Sequence, residues 1–122
     1  MASIFFIMPL RLDSNVKAKR KFIIENFGNN IILPQDYDNN SQLDFDIKKA
    51  IETFMNVDLV IADLSFERPS CYFELGMAQA IGVPTYLIAE KGTQLHQHSG
   101  CVKFYNGLEE FRKLITSVIP EK

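Results

Sequence analysis

Apolar and polar residues fall into successive blocks along the chain, and each block has the length and period of one secondary-structure element. A continuous apolar run at 3–8 is typical of a strand that is covered on both faces. Apolar residues then recur with helical spacing at 15–27, and Gly28 supplies a stop signal. Further apolar runs predict strands at 31–33, 59–64, 85–89 and 102–105, and further helices are predicted at 43–54, 70–81 and 108–119.

The strict alternation of strands and helices predicts the α/β class, with right-handed crossovers and a parallel sheet that has helices on both faces. We expect a single flavodoxin-like (Rossmann-like) domain at 1–122, because 122 residues fit one domain of ordinary size. The expected order of the five strands is 2-1-3-4-5. In such sheets ligands bind at the carboxyl ends of the strands, beside the switch point between strands 1 and 3.

Composition argues against several classes of partner. The formal net charge of -2 gives no broad cationic surface, so we expect no nucleic-acid polymer, and we interpret the basic cluster at 17–21 as the solvated face of a helix. No window approaches the roughly 18 apolar residues of a membrane span, so we expect a cytoplasmic protein. Neither Cys71 and Cys101 nor the pair His96 and His98 has the spacing of a complete ligand set, so we expect no metal and no cofactor.

Glu74 is the only charged residue between Pro69 and Ala89, in a helix of otherwise apolar and small residues. The predicted helix at 70–81 places it in the first turn, where the partial positive charge of the helix terminus favours an ionised carboxylate. Such a carboxylate, partly desolvated in a crevice, can attack an electron-poor carbon such as the anomeric carbon of a nucleoside. The alternative is a structural role, because first turns of helices are commonly acidic.

Two linked motifs surround Glu74. A strand of sequence Asp-Leu-Val-Ile-Ala-Asp at 58–63 is followed by Pro-Ser at 69–70 and by Phe-Glu-Leu-Gly-Met-Ala at 73–78. This arrangement resembles the nucleoside 2-deoxyribosyltransferase superfamily, which includes 2'-deoxynucleoside 5'-monophosphate N-glycosidases and CMP N-glycosidases. The resemblance covers most of the chain and is strong at 58–84. It implies that Glu74 is the nucleophile of an enzyme that cleaves, or transfers across, an N-glycosidic bond.

The same resemblance implies a small-molecule substrate, a nucleoside or a nucleoside 5'-monophosphate. The turn after the first strand carries Met8, Pro9 and Arg11, and in the family a short turn at this place holds sugar and phosphate. Arg11 either forms a bidentate pair with a phosphate or is a solvated loop cation. Arg68 and Ser70 flank the start of the third helix, where backbone amides can add anion contacts; Ser70 can equally be only a helix cap.

Proton transfer calls for a second acid, and Ala50 stands at the position of the aspartate that the family carries on its second helix. Asp46, one turn earlier, is our candidate for this role. Asp63 ends the third predicted strand, where it hydrogen-bonds sugar hydroxyls or orients Glu74, or else only caps the following turn.

Two other functions are compatible with the sequence. The segment 70–75 is also similar to the Ser-x-Trp-Cys-x-x-Glu-Leu region of TIR domains, in which the helix glutamate cleaves NAD, although the Trp is missing here. The second alternative is a nucleotide-binding or signalling module that has lost catalysis, as Ala50 would allow.

The expected working unit is a homodimer or a larger homo-oligomer. A single chain of 122 residues offers a shallow crevice, whereas ligand sites normally bury most of a small ligand. The resemblance implies active sites completed across subunits, and Gly76, Met77 and Ala80 on the third helix are candidates for the contact.

Overall fold

The computed structural model describes residues 3–8, 14–28, 30–33, 47–65, 69–95 and 99–119. The strands are β1 (Ile4–Ile7), β2 (Ile31–Ile32), β3 (Leu59–Asp63), β4 (Thr85–Glu90) and β5 (Lys103–Tyr105). The helices are α1 (Ser14–Phe27), α2 (Ile47–Met55), α3 (Pro69–Ile81) and α4 (Gly107–Val118), and a short 3-10 helix (Ser99–Cys101) precedes β5.

All strand pairs are parallel, and the order is β2-β1-β3-β4-β5, as the sequence predicts. The central strands β1 and β3 pair from Ile4 with Leu59 to Ile7 with Ala62. Every side chain of β1 is fully buried, which is why this strand is apolar throughout rather than at alternate positions. The order reverses between β1 and β3, so the switch point lies where these two strands end.

Each face of the sheet has its own hydrophobic core. Ile4 and Phe6 of β1 pack on the side of α1 and α4, whereas Phe5 and Ile7 pack on the side of α2 and α3. Period-two alternation of the strand produces this division. The ring of Phe5 meets that of Phe54 edge-on at 5.0 Å, an arrangement typical of aromatic pairs. Burying each such side chain contributes roughly 1.5–3 kcal/mol to folding.

The structure corrects two local predictions. The helix α3 begins at Pro69, one residue earlier than predicted, because proline has a helical φ and no N–H that the first turn would leave unpaired. Lys19, assigned from sequence to a solvated helix face, is only 3 % exposed and lies inside the molecule.

The carboxyl end of α3 is followed by Gly82, which has a φ of 96°, and the N–H of Gly82 bonds to the carbonyl of Ala78.

No helix in the ranges that the structure describes is long and apolar enough to cross a membrane.

Candidate functional site

The predicted crevice lies where β1 and β3 end, and several residues assigned to it fall outside the described ranges. These are Pro9, Arg11, Asp46 and Arg68, and nothing is described of the side chain of Ser70. Met8 is 2 % exposed and belongs to the core on the side of α1 and α4. Its contact with substrate stays a prediction.

Glu74 lies in the second turn of α3, not in the first turn as the sequence predicted. The earlier start at Pro69 makes Glu74 the sixth residue of the helix, and no acidic residue occupies the first turn. The field of a helix terminus acts mainly within the terminal turn. The helix dipole is therefore a weaker reason for an ionised Glu74 than the sequence suggested.

Glu74 is nevertheless a buried carboxylate, with 7 % of its surface exposed. Its neighbours along the same side of α3 are Cys71, Leu75 and Ala78, and all three are buried in the core between this helix and the sheet. Positions three and four residues apart share a helix face, so Glu74 belongs to the side of α3 that is turned toward the protein interior. A carboxylate withdrawn from water in this way is suited to nucleophilic or electrostatic chemistry.

Asp63 ends β3 and is the centre of a buried hydrogen-bond network. Its Oδ1 accepts the backbone N–H of Ser65 at 3.0 Å and the Ser65 hydroxyl at 2.5 Å. Its Oδ2 accepts the hydroxyl of Tyr105 at 2.6 Å, and the Nζ of Lys19 lies 3.8 Å from the same oxygen. Lys19 also donates to the Tyr105 oxygen at 2.6 Å. Asp63 is 1 % exposed, so these protein groups take the place of water around its carboxylate.

Proton counting fixes the direction of the hydrogen bonds. The single hydroxyl protons of Ser65 and Tyr105 both point to Asp63, so the 3.2 Å contact between these two oxygens is not a further bond. Burial is the main cause that raises the pKa of Tyr105 well above its ordinary value, and the charge of Asp63 with its hydrogen bond adds to the rise. Tyr105 therefore stays protonated and remains a donor.

Lys19 joins this network to the end of β4. Its Nζ lies 3.1 Å from the Oε2 of Glu90, whose side chain is 30 % exposed. The ammonium group also lies over the rings of Tyr105 and Phe111, at 4.8 and 5.5 Å from their centroids. One lysine therefore faces two carboxylates and two aromatic rings, which explains why an amine is found inside the molecule.

An open cavity of about 310 Å³ borders the network at the carboxyl edge of the sheet. Its lining consists of Asn15, Lys19, Ser65, Glu90, Asn106, Gly107 and Leu108. Among the described residues, no buried polar side-chain atom lacks a hydrogen-bond partner. The buried polar groups beside the cavity are thus all hydrogen-bonded.

The sheet separates Asp63 from Glu74. Asp63 shares the face of Ile61 and bonds to residues of α1 and β5, whereas α3 covers the opposite face. The polar contacts of Asp63 in the structure are with Ser65, Tyr105 and Lys19, and Glu74 is not among them. The bond from the Ser65 N–H has the two-residue spacing of an Asx turn, which is the turn-capping alternative considered for Asp63.

Four members of the network were not predicted from the sequence: Lys19, Ser65, Glu90 and Tyr105. Glu90 follows Tyr86 and Ile88 at two-residue spacing along β4, and this spacing indicates that the three side chains share one face of the sheet. The register of β4 and β5, which places Tyr105 beside Glu90, has no such signal. No group of three or more His, Cys, Asp or Glu that could hold a metal ion occurs in the described part of the chain.

Comparison with known proteins connects this architecture to one solved enzyme. No protein-family model matches the sequence, and no curated protein matches it. Among solved structures, the CMP N-glycosidase BcmB of Clostridium botulinum superimposes with a TM-score of 0.68 over 96% of this chain and 100% of that chain, at 17% sequence identity. The chain therefore shares the fold of this N-glycosidase over nearly its whole length.

Proposed function

We propose that the protein acts on the N-glycosidic bond of a nucleoside or a nucleoside 5'-monophosphate, with Glu74 as the nucleophile. The observation that carries this proposal is the buried carboxylate of Glu74 on the helix that follows β3, beside the switch point of the sheet. The fold shared with a CMP N-glycosidase supports the same reaction class.

The proposed reaction has two displacements. A carboxylate oxygen of Glu74 attacks the anomeric carbon, and the bond to the base breaks with its electron pair leaving on the base nitrogen. The departing base takes a proton, for which Asp46 is our candidate donor. In hydrolysis water then attacks the anomeric carbon of the glycosyl ester, and in transfer the nitrogen of a second base attacks it. The attacking group gives its proton to the carboxylate of Asp46, and the ester bond breaks to regenerate the Glu74 carboxylate.

The proposal includes a site for a 5'-phosphate. We assign Arg11 to a bidentate contact with the phosphate, because a planar guanidinium matches two phosphate oxygens. The amino end of α3, with Arg68 and Ser70, supplies further donors to the anion. Met8 and Pro9, which precede Arg11 in the sequence, are assigned to the same substrate site.

A second candidate, a nucleotide-binding module without catalysis, is favoured by one observation. Ala50 is 1 % exposed and lies in the core between α2 and the sheet, at the position where the resemblance places an aspartate. The described part of α2 carries one acidic residue, Glu52, which is exposed on the surface of the helix. Our scheme therefore assigns the proton donor to Asp46, which precedes α2 in the sequence.

The proposed working unit is a homodimer or larger assembly that packs through α3. Phe73, Gly76 and Ala80 are exposed, and they recur at the three- and four-residue spacing of a helix face. Phe73 exposes 50 % of its surface, and the single charged residue of the helix, Glu74, is on the buried side. A charge-free helix face with an exposed aromatic residue is suited to an isologous contact with a second copy.

Incubation with a panel of nucleosides, nucleoside 5'-monophosphates and NAD, followed by chromatography for free base, tests the proposal. We expect base release by the wild type and none by Glu74→Gln, which keeps the side-chain shape and removes the nucleophile. The matched control is Glu52→Gln on the exposed face of α2, which should retain full turnover. Undiminished turnover by Glu74→Gln would exclude the mechanism. Nucleotide binding without base release would favour the module.

A further inference from the structure

Ser65 is fixed by hydrogen bonds from several directions at the point where the chain leaves β3. Its N–H and hydroxyl both donate to Asp63, as described above. Its Oγ accepts the backbone N–H of Glu90 at 2.8 Å, and its carbonyl accepts the hydroxyl of Thr93 at 3.3 Å. Residue 65 is therefore attached both to the end of its own strand and to the end of the neighbouring strand β4.

Tyr105 donates a hydrogen bond to Oδ2 of Asp63, so both carboxylate oxygens are bonded to protein groups. Its hydroxyl accepts from Lys19 and donates to Asp63, and its ring packs edge-on against Phe111 at 5.2 Å between centroids. Because Ser65 and Tyr105 donate to different oxygens of the Asp63 carboxylate, this side chain has few alternative orientations. The ends of β3, β4 and β5 are thereby joined through side chains as well as through the sheet.

Only three residues lie between Ser65 and Pro69, where α3 begins, so these four steps along the chain can span at most about 14 Å. Apolar packing of α3 on the sheet is non-directional, so on its own it tolerates small shifts of the helix along its axis. Directional hydrogen bonds at Ser65 supply that missing constraint.

We infer that Ser65 and Tyr105 are positioning residues, which act through Asp63 to set the place of α3 and hence of the Glu74 carboxylate. This role deepens the proposed function and rests on it. Ser65 and Tyr105 belong to the polar network around Asp63 and do not lie beside Glu74. Their substitution should therefore change the reaction rate rather than the substrate affinity. A small misplacement of a nucleophile is sufficient to slow attack.

Kinetics of Ser65→Ala and Tyr105→Phe test the inference, since each change removes one hydroxyl and keeps the remaining side chain. We expect kcat to fall by on the order of tenfold or more, with KM changed by less than about twofold. Ser65→Thr retains the hydroxyl and should recover most of kcat. The control is Ile115→Val, which weakens the core under α4 and should lower the melting temperature without lowering kcat.

Hydrogen exchange at the amides of residues 73–75 separates this inference from the proposed reaction. Their helical acceptors lie in the first turn of α3, so displacement of that turn should speed exchange in Ser65→Ala and Tyr105→Phe but not in Ile115→Val. If no nucleotide is cleaved by the wild type, faster exchange would still support positioning, and unchanged exchange would overturn it. If Glu74→Gln is inactive while both hydroxyl variants keep full kcat, positioning is overturned and the proposed reaction stands.

Discussion

Replacement of Lys19 by methionine tests whether the buried ammonium group stabilises the fold. Methionine matches the length of the lysine stem, so the packing against Tyr105 and Phe111 is largely kept. The change removes the hydrogen bond to Tyr105 and both contacts with carboxylates, at 3.1 Å to Glu90 and 3.8 Å to Asp63. Two acidic groups would then remain without their common counter-ion.

The loss of stability expected for Lys19→Met depends on the contacts that Asp63 and Glu90 keep after the substitution. Removing one partner of a buried ion pair costs about 3–5 kcal/mol when the other charge is left unpaired. Asp63 keeps its three bonds from Ser65 and Tyr105, and Glu90 is exposed enough to be hydrated, so the penalty should be lower. We expect a loss of about 2–3 kcal/mol in the free energy of unfolding, or about 10 °C in melting temperature.

Urea unfolding followed by far-UV circular dichroism provides the measurement, because the chain contains no tryptophan for fluorescence. Lys17→Met is the matched control, since Lys17 lies on the same helix and is exposed. The double variant Lys19→Met with Asp63→Asn should lose less than the sum of the two single changes, because the second change removes the stranded charge. A midpoint for Lys19→Met equal to that of Lys17→Met would refute the stabilising role of the network.

Three further outcomes are expected. The pKa of Tyr105 is raised, so above about pH 10 an unfolded tyrosine ionises while the folded one does not; wild-type stability should therefore fall relative to Tyr105→Phe by up to about 1.4 kcal/mol per pH unit. An equal difference in unfolding free energy between wild type and Tyr105→Phe at pH 9 and at pH 11, measured by urea unfolding, would contradict this. Arg11→Ala should reduce the preference for a 5'-monophosphate over the free nucleoside by about ten- to hundredfold in kcat/KM, whereas Lys17→Ala should not. Light scattering at micromolar concentration should show a dimer or larger species, and Phe73→Lys should dissociate it.

The sheet could be predicted because the information it needs is local. Runs such as 4–8 and 59–62 are apolar throughout, and this pattern is typical of a covered parallel strand whatever the distant residues are. Alternation with helices then limits the topology to a few possibilities. The ends of the helices are less well determined by local sequence. The helix α3 begins at Pro69, one residue before the predicted start, and this places Glu74 outside the first turn.

The polar network could not be predicted for a different physical reason. Lysine is ordinarily among the most exposed residues, and the burial of Lys19 depends on carboxylates that lie 44 and 71 positions away along the chain, Asp63 and Glu90. Only the strand register and the packing of α1 bring these groups together. Long-range pairing of this kind leaves no periodic signal in the sequence, so the basic cluster at 17–21 was interpreted as solvated throughout.

The position of Asp63 has a consequence for how the fold can combine stability with chemistry. A strand that ends in a carboxylate can turn it toward only one face of the sheet, and β3 turns Asp63 toward α1 and β5. The helix that follows, α3, packs on the other face and carries Glu74. One strand and helix unit thus places two buried carboxylates on opposite sides, where the sheet lies between their charges. Asp63 is hydrogen-bonded by residues on its own side of the sheet, so the sheet itself holds the structural carboxylate and the proposed catalytic carboxylate apart.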